Sequence, residues 1–217
     1  MIIRHIGHAE FYIETESGFR IVTDPYDSSC GYPVFAIECD AALVSHAHHD
    51  HNAVETLRGT PQIIDRAGTY FPAADVRVTA ARGFHDDALG TKRGETLLFL
   101  IETESLRIVH LGDIGCMLSD EQIQILHHPD ILMIPTGGFF TIDSRQAKEI
   151  AEKLDARVIL PMHYRTQYNA EWPISGPETF MEEMKGKNIM HDAEILRITA
   201  GDAECQPDVV FFRQKIG

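Results

Sequence analysis

The sequence is poor in basic residues, and this shortage argues against several classes of partner. Its 217 residues include 19 Lys and Arg against 33 Asp and Glu, which gives a formal net charge of −14. Proteins that bind nucleic acid normally carry a basic face, and the longest basic cluster here is Lys92-Arg93. We therefore expect neither nucleic acid nor an anionic membrane surface as a partner. A small anionic substrate held by bound metal stays open.

Long apolar runs and paired cysteines are also missing. No apolar run approaches the roughly 20 residues of a membrane span, and residues 1–5 lack the apolar core of a signal peptide. The four cysteines show no Cys-x-x-Cys spacing, which argues against a cysteine zinc site and a disulfide framework. We predict a cytoplasmic protein, and we expect one domain over residues 1–217 because no linker or internal repeat interrupts the chain. The cysteines are Cys30, Cys39, Cys116 and Cys205.

Short apolar segments separated by turn residues predict a mixed α and β fold, with sheets inside and helices outside. The predicted strands cover residues 2–6, 11–15, 19–23, 41–44, 62–64, 76–80, 96–102, 106–110, 131–134, 158–160, 195–199 and 209–213. Helices are predicted over residues 52–57, from the cap Ser119 to about residue 127, over residues 144–154 after the cap Asp143, and from Pro177 onward.

The most informative segment is the run from His46 to His51, which reads His-x-His-x-Asp-His and follows the strand predicted at 41–44. Residues two apart on an extended backbone point to the same side, so the His46 and His48 side chains can reach one point. A mixed set of imidazole and carboxylate ligands suits zinc, manganese or iron. A solvated His-rich loop is the alternative, but this fixed pattern favours a metal site.

Three further metal-capable residues each follow a predicted strand. His85 comes after the strand at 76–80, Asp113 after the strand at 106–110, and His163 after the strand at 158–160. An isolated strand-end His or Asp is usually a cap or a solvated group. The three together indicate long-range ligands that tie separate strand ends to one site.

With these segments the chain resembles the metallo-β-lactamase superfamily. It is most similar to the small metal-dependent hydrolases of that superfamily, a branch that includes L-ascorbate-6-phosphate lactonase. Two departures are visible: relatives often carry Thr where this chain has Ile114, and the segment 86–94 shows no motif that we can interpret. The matching pieces are Ile6-Gly7-His8-Ala9-Glu10, Thr23-Asp24-Pro25, the run from His46 to His51, His85, Gly112-Asp113, residues 135–143 and residues 160–164.

The resemblance implies an α/β fold, a four-layer αββα sandwich, with two divalent metal ions at one edge. Zinc is the first choice of metal, with manganese or iron as alternatives. The resemblance also places His46, His48 and His85 on the first metal and Asp50, His51 and His163 on the second, with Asp113 bridging both.

Several other residues are candidates for supporting roles. Asp24 looks like the acid that orients a ligand imidazole, although an Asp-Pro turn explains it equally well. The family pattern also brings His8 and His110 toward the site, and His110 is alternatively a hydrogen-bonded interior histidine. Thr141 belongs to one of the matching pieces and is a candidate on that ground.

Three residues are candidates for chemistry or substrate binding. Asp50 could take or relay a proton. Tyr164 could stabilise an oxyanion or simply pack as an aromatic, and Arg165 could pair with a substrate carboxylate or phosphate or lie exposed on a loop.

The predicted function is a hydrolase that uses a bridging hydroxide to cleave a small ester, lactone or phosphodiester. One alternative is an iron-dependent redox enzyme of the same fold. Another is a metal-stabilised binding or regulatory protein without turnover. The substrate is expected to be a small molecule, and the resemblance leaves a homo-oligomer open.

Overall fold

Two β-sheets form the framework of the protein, whose computed structural model describes residues 1–213. The strands are β1 Ile2–Gly7, β2 Glu10–Glu14, β3 Arg20–Thr23, β4 Ala41–Leu43, β5 Gln62–Ile64, β6 Gly68–Ala73, β7 Val76–Phe84, β8 Glu95–Thr103, β9 Leu106–His110, β10 Ile131–Pro135, β11 Val158–Met162, β12 Ile189–Ala193, β13 Leu196–Arg197 and β14 Val209–Phe212. The α-helices are α1 Asp120–Leu126, α2 Ser144–Leu154 and α3 Pro177–Glu183.

Each sheet contains a parallel part, and this arrangement positions the site. The six-stranded sheet has the order β13-β1-β2-β3-β4-β5, in which β3, β4 and β5 are parallel. The eight-stranded sheet has the order β12-β14-β11-β10-β9-β8-β7-β6, in which β9, β10 and β11 are parallel. Parallel neighbours end at the same edge of a sheet, so the loops after these strands come together there.

The side-chain alternation of the strands builds two apolar layers. In β8, Phe99 faces the core between the sheets, where it joins Phe11 from β2, while Leu98 and Leu100 face the helices. Successive side chains of a strand point to opposite faces, so a strand that is apolar throughout must be covered on both. The eight-stranded sheet is therefore the central layer of the molecule.

The helices cover the outer face of the eight-stranded sheet. Helix α2 begins at a capping box, in which Asp143 accepts the Gln146 N–H at 2.8 Å and Gln146 accepts the Asp143 N–H at 3.1 Å. Its apolar side chains Ile150 and Leu154 are fully buried in the outer cluster, together with Phe180 of α3. The predicted caps of α1 and α2 are confirmed.

The outer face of the six-stranded sheet is covered differently. There Tyr12 packs against Tyr26, Cys30 and Tyr32, which belong to the loop after β3. This loop contains a short 3-10 helix, Ser28–Cys30. The predicted α/β sandwich is confirmed in its two sheets and its helical layer. The second outer layer is formed largely by a loop rather than by an α-helix.

Some predicted elements differ from those observed. Strand β7 extends to Phe84, so His85 follows it directly. Strands β6 and β12 were not predicted, the helix expected over 52–57 is a 3-10 turn at Val54–Thr56, and the strand expected over 195–199 is reduced to β13. None of the helices within residues 1–213 is long and apolar enough to span a membrane.

Candidate metal centre

The predicted ligands meet at the edge where the parallel strands end. The run from His46 to His51 follows β4, His85 follows β7, Asp113 follows β9 and His163 follows β11. Both sheets therefore contribute to one site. This agrees with the prediction that residues directly after these strands meet at one edge.

Asp113 lies at the middle of the centre and is buried. Its Oδ2 atom lies 3.2 Å from Nε2 of His85, 3.2 Å from Nε2 of His163 and 3.3 Å from Nε2 of His51. The Nε2 atom of His46 is 3.9 Å away. One carboxylate thus faces imidazoles from four different positions in the chain.

The remaining donors form two groups on either side of Asp113. Within each group the donor atoms lie within 4.8 Å of one another. The first group has the membership that the resemblance implies, whereas the second has one additional imidazole, that of His8. The first group contains His46, His48 and His85, and the second contains His8, Asp50, His51 and His163.

Unpartnered buried atoms test whether these residues suit a metal. Within residues 1–213, eleven buried side-chain nitrogen and oxygen atoms lack a hydrogen-bond partner, and seven of them belong to this centre. Burying a polar atom without a partner costs free energy, so such a cluster is expected where a cation completes the contacts. Nitrogen and oxygen donors in this mixture fit zinc, manganese or iron. The seven atoms belong to His8, His51, His85, Asp113 and His163.

The protonation states also suit a cation. Burial, with the neighbouring imidazoles, lowers the pKa of His46 to about 3 and the pKa of His8 to about 4, so both are neutral at pH 7. Burial opposes the charged form of Asp113, but the adjacent histidines outweigh it and hold its pKa well below the usual value. His51 differs, because Asp113 and Asp24 outweigh its burial and raise its pKa well above the usual value. Neutral imidazole and ionised carboxylate are the forms that bind metal, so a cation at His51 would displace its proton.

Two residues lie within hydrogen-bond distance of candidate ligands on the side away from Asp113. Asp24 Oδ2 lies 2.9 Å from Nδ1 of His51, which leaves Nε2 of that ring facing Asp113. The Ser45 hydroxyl donates to Asp24 Oδ2 at 2.7 Å and lies 2.9 Å from Nδ1 of His46. Asp24 thus has the geometry expected of an orienting acid. Ser45 was not singled out from the sequence, and its position directly before the His run is the one signal for it.

Replacing Asp24 by Asn is expected to weaken metal affinity by about 10- to 100-fold, because the orientation of His51 would lose its charged partner. Competition with a chromogenic chelator measures this change. The matched control is Asp143→Asn, which retains a capping residue at α2 far from the centre. Equal affinities of D24N and D143N would show that orientation by Asp24 is not needed.

The backbone is strained where it carries these groups. His8, Asp24 and His163 have φ values of 50°, 39° and 51°, a region that residues other than glycine rarely adopt. Gly112 has φ 49°, and a Cβ atom there would lie 2.6 Å from Thr96 Oγ1. Glycine is therefore required directly before Asp113, and this strain marks the centre as a specialised part of the fold.

His110 is an interior histidine beneath the centre. Its Nδ1 accepts the Gly112 N–H at 3.1 Å, so the ring proton is on Nε2, which donates to the Ala9 carbonyl at 3.0 Å. Both ring nitrogens are thus used within the fold. His110 supports the turn that carries Asp113 and does not face the other ligands.

A cleft of about 630 Å³ opens onto the metal centre. Phe140 and Trp172 form an aromatic wall with ring centroids 6.1 Å apart, and the Trp172 ring lies 5.3 Å from His8. The segment 86–94, which had no interpretable motif, reaches this cleft. The titratable residues that line it are His48, His49, Asp50, His85, Lys92, Arg93, Asp113, His163 and Glu171.

Four residues considered from the sequence lie elsewhere. Tyr164 and Arg165 line a separate hollow, in which the Tyr164 ring lies 6.0 Å from that of Phe211. The Thr141 hydroxyl donates to a neighbouring backbone carbonyl at 3.2 Å, and Ile114 is buried in the cluster beneath the helices. None of these four residues lines the cleft, so we assign them no part in the chemistry.

Comparison with known proteins bears on this centre. A family model described as a β-lactamase superfamily domain matches residues 2–163. The chain belongs to this superfamily. Its relatives include metal-dependent hydrolases of the UPF0173 group. The protein from Methanosphaera stadtmanae is 30% identical over 76% of this chain and 85% of the relative, and the protein from Archaeoglobus fulgidus is 26% identical over 94% and 98%.

A solved structure agrees with this assignment. A proposed Zn-dependent hydrolase of the metallo-β-lactamase superfamily from Thermotoga maritima is 30% identical to this chain, with a TM-score of 0.80 and 99% coverage of both chains. The family predicted from the His run and the strand-end ligands is therefore confirmed, and the chain is a metal-dependent hydrolase of this superfamily.

Proposed function

We propose that the centre holds two divalent cations, zinc first and manganese or iron as alternatives, and hydrolyses a small ester, lactone or phosphodiester. The observation that carries the proposal is the position of Asp113 between two groups of donors, with Oδ2 within 3.3 Å of imidazoles from both. A carboxylate so placed can bridge two ions. His46, His48 and His85 would hold the first ion, and Asp50, His51 and His163 the second.

Two divalent ions held by these groups would lower the pKa of a shared water toward about 7, and this would supply a hydroxide able to attack a carbonyl carbon or phosphorus at neutral pH. The protein's own residues do the remaining work. Asp113 and the imidazoles neutralise and position the ions, and the aromatic wall of the cleft limits the approach of bulk water.

Asp50 is the residue best placed to move the proton. It lines the cleft, and its Oδ2 lies 3.3 Å from His8 and 3.7 Å from His51. Burial opposes its charged form, but these two imidazoles outweigh it and lower the pKa of Asp50, so at pH 7 it is an ionised carboxylate. In the proposed reaction Asp50 would accept the proton that the shared water gives up when the hydroxide forms and would pass it to the leaving oxygen.

Elemental analysis of protein purified without added metal, combined with assays on ester, lactone and phosphodiester panels, tests the proposal. We expect near two zinc or manganese ions per chain and turnover on at least one panel. One iron, or two irons in a coloured sample, would favour the redox alternative instead. Two metals without turnover on any panel would favour the binding or regulatory alternative.

A further inference from the structure

The segment 86–94 is a turn built around one buried carboxylate. Asp86 accepts the backbone N–H groups of Ala88 and Gly90 on Oδ1 at 2.8 and 3.0 Å, and those of Lys92 and Arg93 on Oδ2 at 2.9 and 2.8 Å. One carboxylate side chain therefore fixes the shape of the whole turn.

The turn is attached directly to the metal centre. It begins after His85, whose backbone N–H donates to the Gly94 carbonyl at 3.0 Å and closes the base of the turn. A ligand of the first group and the end of the turn are thereby held side by side. The side chains of Lys92 and Arg93 both line the cleft as a result.

The two cations of this turn differ in their partners. Lys92 Nζ lies 2.7 Å from Asp87 Oδ1, so its charge is already paired. Within residues 1–213, no carboxylate lies within 4.0 Å of the Arg93 guanidinium, which instead lies 5.7 Å from the centre of the Phe140 ring. An arginine held over an aromatic ring and without an acidic partner is oriented and free to bind an anion.

Arg93 also stands apart from the metal ligands. Asp50 and Asp113 line the same cleft, but neither is among the ion-pair partners of Arg93. A series of ring contacts connects Arg93 with the centre: the guanidinium lies 5.7 Å from the Phe140 ring, Phe140 lies 6.1 Å from Trp172, and Trp172 lies 5.3 Å from His8. An anion on Arg93 can therefore be a group other than the one at the metals.

We propose that Arg93 binds an anionic group of the substrate, a carboxylate or a phosphate separate from the bond that is cleaved, while the apolar part of the substrate lies against Phe140 and Trp172. This inference rests on the proposed hydrolytic function. It narrows the substrate class to amphiphilic anions. Pairing with a substrate carboxylate or phosphate, which the sequence analysis considered for Arg165, is assigned to Arg93 instead.

A matched set of esters tests the inference. The p-nitrophenyl esters of valeric acid, glutaric acid and gamma-phosphonobutyric acid present a neutral, a carboxylate and a phosphonate end at similar length. For Arg93→Gln, which keeps the backbone donor to Asp86, we expect KM to rise about 10- to 100-fold for the preferred anionic ester and to stay within about twofold for the neutral ester. The anionic ester whose KM rises more in R93Q identifies whether Arg93 recognises a carboxylate or a phosphate.

Two control variants separate Arg93 from charge in general. Lys92→Gln removes the paired cation of the same turn, and R165Q removes a cation of the separate hollow. Both are expected to change KM for the anionic esters by less than about threefold. Arg93→Lys keeps the positive charge but loses the two parallel N–H donors of the guanidinium, so its KM for the anionic esters should lie between those of R93Q and the unaltered protein. Equal losses for neutral and anionic esters in R93Q, or equal effects of R93Q and K92Q, would overturn the inference.

A binding measurement keeps the inference testable without turnover. Titration calorimetry on the zinc-loaded protein compares dicarboxylates from succinate to pimelate, which can reach the metals and Arg93 together, with butyrate, whose single carboxylate we expect at the metals. We expect R93Q to weaken the tightest dicarboxylate about 10-fold or more and to leave butyrate unchanged. Unchanged dicarboxylate affinity would refute the role of Arg93. Failure of every ester assay with this binding difference intact would refute the hydrolytic proposal alone.

Discussion

Replacing Asp113 by Ala is expected to reduce bound metal from about two ions per chain to at most about one and to lower hydrolysis by at least about 100-fold. Loss of a residue that only orients a ligand already costs about 10- to 100-fold in affinity or activity. Asp113 contacts the imidazoles of His51, His85 and His163 directly, so its removal affects both groups of donors. Elemental analysis and single-substrate kinetics measure the two effects.

The conservative variant Asp113→Asn separates charge from shape. Asn keeps the size and one oxygen of Asp113 but cannot neutralise two ions, so D113N should also lose metal while retaining the fold by circular dichroism. A variant that keeps two ions per chain at unchanged affinity would refute the bridging position of Asp113.

The clustering of the candidate ligands could be predicted because two independent patterns agree. Four of the residues in the run from His46 to His51 lie in a fixed local motif, and His85, Asp113 and His163 each follow a buried strand. Apolar strands are the most readable elements of a sequence, since burial selects their residues directly. Parallel strands then bring the residues after them to one edge without further information.

Residues that depend on the path of a loop could not be predicted in this way. Tyr164 and Arg165 are adjacent to a ligand in sequence, but the left-handed backbone of His163 precedes them and they line another hollow. Arg93 reaches the cleft only because Asp86 binds four backbone N–H groups. An acid followed by an irregular segment carries no periodic signal that reveals such a turn.

The strands that were missed lie at the two edges of the eight-stranded sheet. Strands β6 and β12 are mostly exposed or half-buried, so their sequences lack the alternation that marks a strand with one buried face. Strand β6 also contains Pro72, which argues against a central strand but is tolerated at an edge. Pairing with an inner neighbour forms these strands, and that pairing is not visible in local sequence.

Removal of metal by a chelator is expected to lower the melting temperature by roughly 10 to 20 °C. An ion present at 100 times its Kd contributes about 2.7 kcal/mol to stability, and two such ions contribute about 5 kcal/mol. For a domain of this size each kcal/mol corresponds to about 2 to 4 °C. Without cations, the buried polar atoms of His8, His51, His85, Asp113 and His163 stay without partners where the two sheets meet, and this lowers the free energy of unfolding.

The D113A protein provides the matched control for this measurement. Since it is expected to bind at most about one ion, chelation should lower its melting temperature by no more than about half the shift of the unaltered protein. Re-addition of zinc should restore the unaltered protein fully, which distinguishes metal loss from irreversible unfolding. If chelation removed two ions and left the melting temperature unchanged, the edge of the sandwich would be stable without metal. The centre would then serve chemistry alone and would not tie the strand ends together.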